Sequence, residues 1–281
     1  MKLLPIVFIL LMLGCASPKL DDYTKHTSLP FSDHLQQASL VINVQQNEPI
    51  DFRGAYELGQ ELEQADMTYY VSSVEGAVAQ VITHAILNSN LQKNKLSQNQ
   101  IKANKILAPI KTSLHGLTHQ NLVHQSDTYT FGNNVATNDE ILISSHPIFF
   151  ISQDFKSITL KHHIKAQDTL KGEILYENMV EVIPAKFKLQ NLEEELQKNK
   201  LSILKNISQE LYKDSLKLAI EDMKGRFIKN KNQQKTYSFE HNGQPRFERG
   251  TWIKNDINNI VIRNLRGWII AFPKTFQTKD S

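Results

Sequence analysis

The sequence contains a single cysteine, at position 15 of 281 residues. A disulfide within the chain and a metal site built from several thiolates are therefore excluded. Gly-x-Ser-x-Gly, His-Glu-x-x-His and the Gly-rich loops that cradle phosphate are also missing, so the short sequence signs of common hydrolase, metallopeptidase and nucleotide chemistries are absent. Long apolar runs are scarce. The one at the start, Leu3 to Leu13, contains Pro5 and is followed by Gly14; a membrane span needs about 20 residues. No repeat with a period of about 20 to 50 residues is visible. Apolar and charged contents are ordinary, at 40% and 22%, which argues against both a disordered chain and a coiled coil.

What is present begins with an address. Lys2, the apolar run, Gly14 and Cys15 have the layout of a secretory signal: a basic start, a greasy core and a small residue at the cut. Met12-Leu13-Gly14-Cys15 resembles the lipobox of bacterial lipoproteins. The resemblance covers the first fifteen residues and implies that residues 1–14 are removed as a signal peptide. It further implies that Cys15 carries diacylglycerol and that the new amino terminus is acylated. Each buried methylene of such a chain contributes about 0.8 kcal/mol to membrane attachment. Acylation would also take the only thiol out of use as a nucleophile. Ala16, rather than Asp, follows the cysteine, which by the same resemblance directs the protein to the outer membrane, facing the periplasm.

The remainder is long enough to bury a core. Residues 15–36 are polar, hold Pro18 and Pro30 and read as a lipidated tether; residues 37–275 read as one periplasmic domain. Alternation over Ala38 to Val44 predicts a first strand. Ala55, Leu58 and Leu62 among glutamates predict a helix over 51–66. Apolar residues stepping by three and four predict two more, over Tyr69 to Asn90 and Ala103 to Leu117, packed as a hairpin with Pro109 a kink. Three strands follow, over 140–151, 157–166 and 172–183. In the second, Ile158, Leu160, His162 and Ile164 share one face. A long helix is expected from Leu192 to about Phe227, with Leu201, Leu204, Ile207, Leu211, Leu218 and Met223 inward. Asn242-Gly243 then joins two strands in a hairpin, and residues 258–272 form a strand interrupted near Gly267. Helices segregated from strands in this way predict an α+β fold: an antiparallel sheet with a helical hairpin and one long helix packed on it.

Charge is uneven. The net is +3, but Lys224 to Lys274 holds eleven Lys and Arg against Glu240, Glu248 and Asp256, a local net of +8. Within it, Arg249-Gly250-Thr251-Trp252 and Arg266-Gly267-Trp268 set arginine, glycine and tryptophan together twice. With Arg263, these make Arg249, Trp252, Arg263, Arg266 and Trp268 candidates for a ligand or partner surface, since aromatic faces beside guanidinium donors suit anionic sugars. The plainer expectation is that each glycine marks a bulge and each tryptophan fills core. His115, His119 and His124 lack a carboxylate nearby and read as solvated or capping groups, with no metal expected. Ser202-x-x-Lys205 lacks the partner motifs of penicillin-binding enzymes, and Glu193, Glu194 and Glu195 read as a wet helix face.

The expectation is a non-enzymatic envelope lipoprotein without cofactor. It is held to the membrane by acyl chains and binds a partner protein, with an anionic glycan of cell wall or lipopolysaccharide as a second ligand of the basic region. Nucleic acid is not expected outside the cytosol. The alternative is an envelope hydrolase whose histidine and carboxylate residues meet only on folding.

Overall fold

The computed structural model describes residues 26–28, 39–44, 47–55, 97–132, 140–184, 192–227, 234–241, 244–255 and 258–274. The chain divides into two compact units, Met1–Tyr23 with Ala65–Ser97 and Thr24–Gln64 with Gln98–Ser281. Apart from Ser97, the described residues belong to the second, and the following account concerns that unit.

In chain order the strands are β1 (Thr27–Ser28), β2 (Ser39–Asn43), β3 (Asp51–Gly54), β4 (Thr130–Gly132), β5 (Glu140–Ile151), β6 (Ile158–Asp168), β7 (Ile174–Val182), β8 (Lys235–His241), β9 (Gln244–Asn255), β10 (Asn259–Asn264) and β11 (Ile269–Pro273). Among the described residues, α-helix also occurs over 97–103, in α1 (Lys111–His115) and in α2 (Leu192–Met223). All eleven strands join one sheet of order β4-β2-β5-β6-β7-β11-β10-β9-β8, with β1 added to β7 and β3 to β5.

The centre is the antiparallel meander β5-β6-β7, in which Pro147 faces His162 and His162 faces Val180. Side chains alternate across it. Ile141, Ile143, Phe149 and Ile151 of β5, with Ile158, Leu160, His162 and Ile164 of β6, are buried on one face. Against that face packs α2 through Leu204, Ile207, Leu211, Tyr212, Leu216 and Ala219. Each fully buried leucine or isoleucine there contributes about 1.5–3 kcal/mol.

Two short strands share each flank of the meander. Along β5, β2 pairs with Glu140–Ser144 and β3 with Ile148–Ile151, both parallel. Along β7, β1 pairs antiparallel at Tyr176 and Glu177, while β11 pairs parallel at Val180–Val182. At the end of β3, a Cβ on Gly54 would stand 2.1 Å from the Ala103 carbonyl oxygen. The absence of a side chain lets the helical stretch 98–115 abut the sheet, where Asn104 Oδ1 accepts from Gly54 N at 2.9 Å. That stretch is 3-10 over Asn104–Ile110, around Pro109, and α-helical again in α1.

The far side of the sheet doubles over itself. Phe239 of β8 stacks on Phe272 of β11 with ring centroids 4.3 Å apart, and Arg246 of β9 reaches Glu181 of β7. Their places along the ladders would keep these residues apart in a flat sheet. The β8-β9 hairpin therefore folds across the face opposite α2. The corner is at Gly250, where a Cβ would stand 2.5 Å from the Arg263 carbonyl oxygen. Ile183, Phe239, Ile260, Ile262, Ile270 and Phe272 form a second core beneath it.

The expected fold class is corrected here. The sheet is mixed, with four parallel pairings, β2-β4, β2-β5, β3-β5 and β7-β11, where an antiparallel sheet is expected. The period-two pattern is the same for both kinds of pairing, so alternation could not reveal the difference. Segregation misled for a related reason: strands from three distant stretches of the chain enter one sheet. No helical hairpin belongs to the described fold, since the first of its two helices, 69–90, lies outside the described residues. The helix expected over 51–66 is also replaced at its start, where Asp51–Gly54 is strand β3.

Candidate functional site

The five candidate residues of the basic segment come from β9, β10 and the turn between β10 and β11, but do not form one surface. Trp252 faces Ile262 across the ladder and is half-buried against the second core. Arg263, the next residue on β10, points to the opposite face, where it donates to Asp222 of α2 and, at 3.0 Å, to the Gly267 carbonyl. Trp268 is buried, and the Arg266 guanidinium lies over its ring at 5.0 Å. The turn holding Arg266 is closed by Asn264, whose Oδ1 accepts from the amides of Arg266 and Trp268, and by Gly267 at φ 86°.

Arg249 and Arg266 do come close in the fold. Gly250 stands opposite Asn264 of β10 on one side and Lys235 of β8 on the other. The backbone at exposed Lys235 and Arg249 therefore lies beside the exposed pair Leu265 and Arg266 at the sheet's corner. Leu265 is 62% exposed at the tip of this turn. Lys224 and exposed Arg226 follow Asp222 at the end of α2, and the neighbouring acids are occupied. Asp222 holds Arg263, and Glu221 accepts from Lys254 Nζ at 2.6 Å. Lys235, Arg249 and Arg266 are thus exposed at the strand positions and turn nearest Leu265.

Three polar centres escaped the sequence reading. At the first, Asp222 accepts from Arg263 and, at 3.1 Å, from the Tyr176 hydroxyl. His26, one residue before β1, brings its Nε2 to 3.6 Å from the same carboxylate and packs against Gly267. Burial alone would raise the Asp222 carboxyl; His26 and Arg263 together hold it below its ordinary value.

At the second, Glu181 is fully buried and accepts two bonds from Arg246, at 2.7 and 2.8 Å. Arg246 also donates to Glu248 at 2.7 Å. Burial pushes Glu181 up, but the guanidinium outweighs it and takes the carboxyl to about 2. His241 beside them is carried down to about 4, chiefly by burial, against the pull of Glu181.

The third lies under α2 and is neutral. Ser215 Oγ donates to the Tyr212 carbonyl at 2.8 Å, so it accepts from His162 Nδ1 at 2.7 Å. His162 Nε2 is then the bare nitrogen and accepts from Ser145 Oγ at 2.8 Å. Ser145 Oγ in turn accepts from the Tyr212 hydroxyl at 2.7 Å. Burial, helped by the neighbouring histidines His163, His146 and His119, keeps His162 well below the ordinary imidazole range. The Tyr212 and His162 rings stack at 5.0 Å. Only His162 carried a sequence signal for this centre, its place on the inner face of an alternating strand; the other partners lie 17 to 53 residues away along the chain.

The remaining histidines are spread out. His115 is exposed, while His124 donates from Nδ1 to the Leu122 carbonyl and accepts from the Tyr129 hydroxyl. His146 stacks on His163, which donates to Glu177 at 2.9 Å on the face opposite α2. Among the described residues, no three or more His, Cys, Asp or Glu are grouped to hold a metal ion. Likewise, no described helix is long and apolar enough to cross a membrane. Ser202 and Lys205 are exposed on α2, and the side chains of Glu193, Glu194 and Glu195 lie outside the described residues. Comparison with known families, curated proteins and solved structures finds no match for this chain.

Proposed function

We propose that this chain is a non-enzymatic lipoprotein of the bacterial envelope. Cys15 is its acylated anchor, and the folded unit binds a partner on the periplasmic face of the outer membrane. The observation that carries the reading is the sequence Met12-Leu13-Gly14-Cys15, with the chain's one cysteine at the end of its one signal-like run. The exposed cations of the basic segment support a place of action beside an anionic envelope surface. Arg249, Arg266 and Lys235 are exposed together, while the acids close by are engaged with Arg263 and Lys254.

Intact-mass measurement on protein purified from membranes tests the anchor. The expected species begins at Cys15 and carries acyl mass; a species that retains residues 1–14 with a bare sulfur overturns the reading. Crosslinking in intact cells tests the binding. Capture of one envelope protein by the folded unit is the expected outcome, and a chain that captures none counts against the binding.

A hydrolase is the second reading, and Ser145 donating to the bare nitrogen of His162 is the observation that favours it, because that is how an imidazole activates a hydroxyl. Against it, the other imidazole nitrogen meets a serine hydroxyl where a carboxylate would stabilise imidazolium. His162, Ser215 and Tyr212 are also fully buried under α2. Ser145→Ala separates the two readings: the crosslinks stay intact under both, but binding predicts that function in cells is retained and a hydrolase predicts that it is lost.

A further inference from the structure

The place where the chain enters the described fold bears on which surface meets the bilayer. β7 is paired along its length with β6, so β1 and β11 must share its other edge. Ahead of Thr27, that edge is taken by the β10-β11 turn: His26 packs on Gly267 so closely that a Cβ there would stand 2.5 Å from the His26 Cβ. His26 is also held by Asp222 and lies edge-on to Tyr176, with ring centroids 6.0 Å apart. The chain is therefore clamped beside Leu265 and Arg266, and ten residues lie between Cys15 and His26, a span of eleven residue steps. At about 3.5 Å per residue, they reach no more than roughly 40 Å.

We infer that the corner of Leu265, Arg266, Arg249 and Lys235, with Lys224 and Arg226 behind it, is the membrane-facing end of the unit and seats on anionic lipid headgroups. The inference rests on the lipoprotein reading, because the anchor brings this end to the bilayer. Three features fit a lipid surface. The tether ends at this corner, and an exposed leucine at a turn tip can enter the interface while its backbone stays hydrogen-bonded within the turn. Exposed cations neighbour it along the ladder and turn, and Asp222 and Glu221 are already paired. Near an anionic surface, each such cation strengthens attachment about fivefold.

The test uses the full mature lipoprotein, reconstituted in vesicles with and without anionic lipid and carrying quencher-labelled headgroups. With Cys15 acylated, Leu265→Cys supplies the single thiol for a fluorophore. Ile101→Cys is the control: Ile101 is 63% exposed on the helical stretch that abuts Gly54, and Gly54 pairs with Ile151 at the other end of the β5-β6 ladder. The label at 265 is expected to be quenched at least about twofold more than that at 101 in anionic vesicles, and Arg249→Glu with Arg266→Glu should abolish the difference. Equal quenching at the two positions overturns the inference, as does unchanged quenching in the reversed-charge variant. A corner that crosslinks to an acidic protein while its label stays unquenched also overturns it. The mass spectrum of the same preparation reports the anchor separately. Were the chain unacylated, cosedimentation with anionic vesicles that falls about thirtyfold on the double charge reversal would still support the corner, and equal cosedimentation with neutral vesicles would overturn it.

Discussion

The two faces of the central meander bury polar groups in opposite ways. Under α2 the centre is neutral, a run of hydroxyls and one imidazole in which every proton has a direction. Under the β8-β9 hairpin the centre is charged, with Glu181 and Arg246 locked in two parallel bonds. A neutral chain can be taken apart one bond at a time, each loss costing one unmet group. A buried charge cannot, because the surviving partner keeps its full desolvation penalty. The two elements that cover the sheet should therefore respond differently to the same kind of damage.

The largest difference should come from single truncations. Arg246→Ala leaves Glu181 buried without its counter-ion and is expected to cost about 3–5 kcal/mol in urea unfolding. Replacing both, as Glu181→Leu with Arg246→Met, should cost clearly less than the single change; a larger loss would show that the hairpin depends on the ion pair itself. Acid should separate the centres next. Glu181 titrates in the fold at about 2, below its ordinary 4.5, so its contribution of about 3 kcal/mol is present above pH 4.5 and lost as pH falls from there towards 2. The buried histidines act earlier. His162 and His241 stay neutral in the fold while the unfolded chain takes up protons below about 6.5, so stability falls from there down to about 4 for His241. Melting temperatures from pH 7 to pH 3 should show both stages.

His162→Phe keeps the ring stack on Tyr212 but leaves the Ser145 hydroxyl without its acceptor, for an expected loss of about 1–3 kcal/mol. It should also flatten the stage between pH 6.5 and 4. If the acid profile is unchanged, His162 is not the group held neutral there. The smallest effect is expected at the corner. Arg249→Glu, on an exposed side chain, should change stability by no more than about 0.5 kcal/mol in the same unfolding assay, which makes it a clean probe of binding.

Individual strands were easier to read than their arrangement. Alternation located β5 at residues 140–151 and brought β6 and β7 within two residues of their ends, because each strand has one face against a core and the pattern is local. The same alternation placed His162 on the inner face of β6, where it is fully buried. Gly267 marked the break between β10 and β11 because its φ of 86° suits a residue without a Cβ. Neighbour relations left no such trace. β11 lies between β7 and β10, and nothing in Ile269-Ile270-Ala271 distinguishes a parallel partner 89 residues back from an antiparallel one nearby. β1 was hidden in what reads as tether, and β3 at the start of what reads as helix, since two and four residues are too few to show a period. At the candidate site, sequence proximity of arginine and tryptophan did not translate into a shared face. Adjacent residues on a strand point to opposite sides, as Trp252's partner Ile262 and its neighbour Arg263 do.

The central seat of β11 has a consequence for how the sheet can be completed. It joins the meander on one side to the β10-β9-β8 ribbon on the other, yet it is the last of the described strands to be synthesised. Until it arrives, the growing polypeptide has two half-sheets with a bare seam between them, and neither can mate with the other. The unit is therefore built to remain loose until nearly all of it has been synthesised.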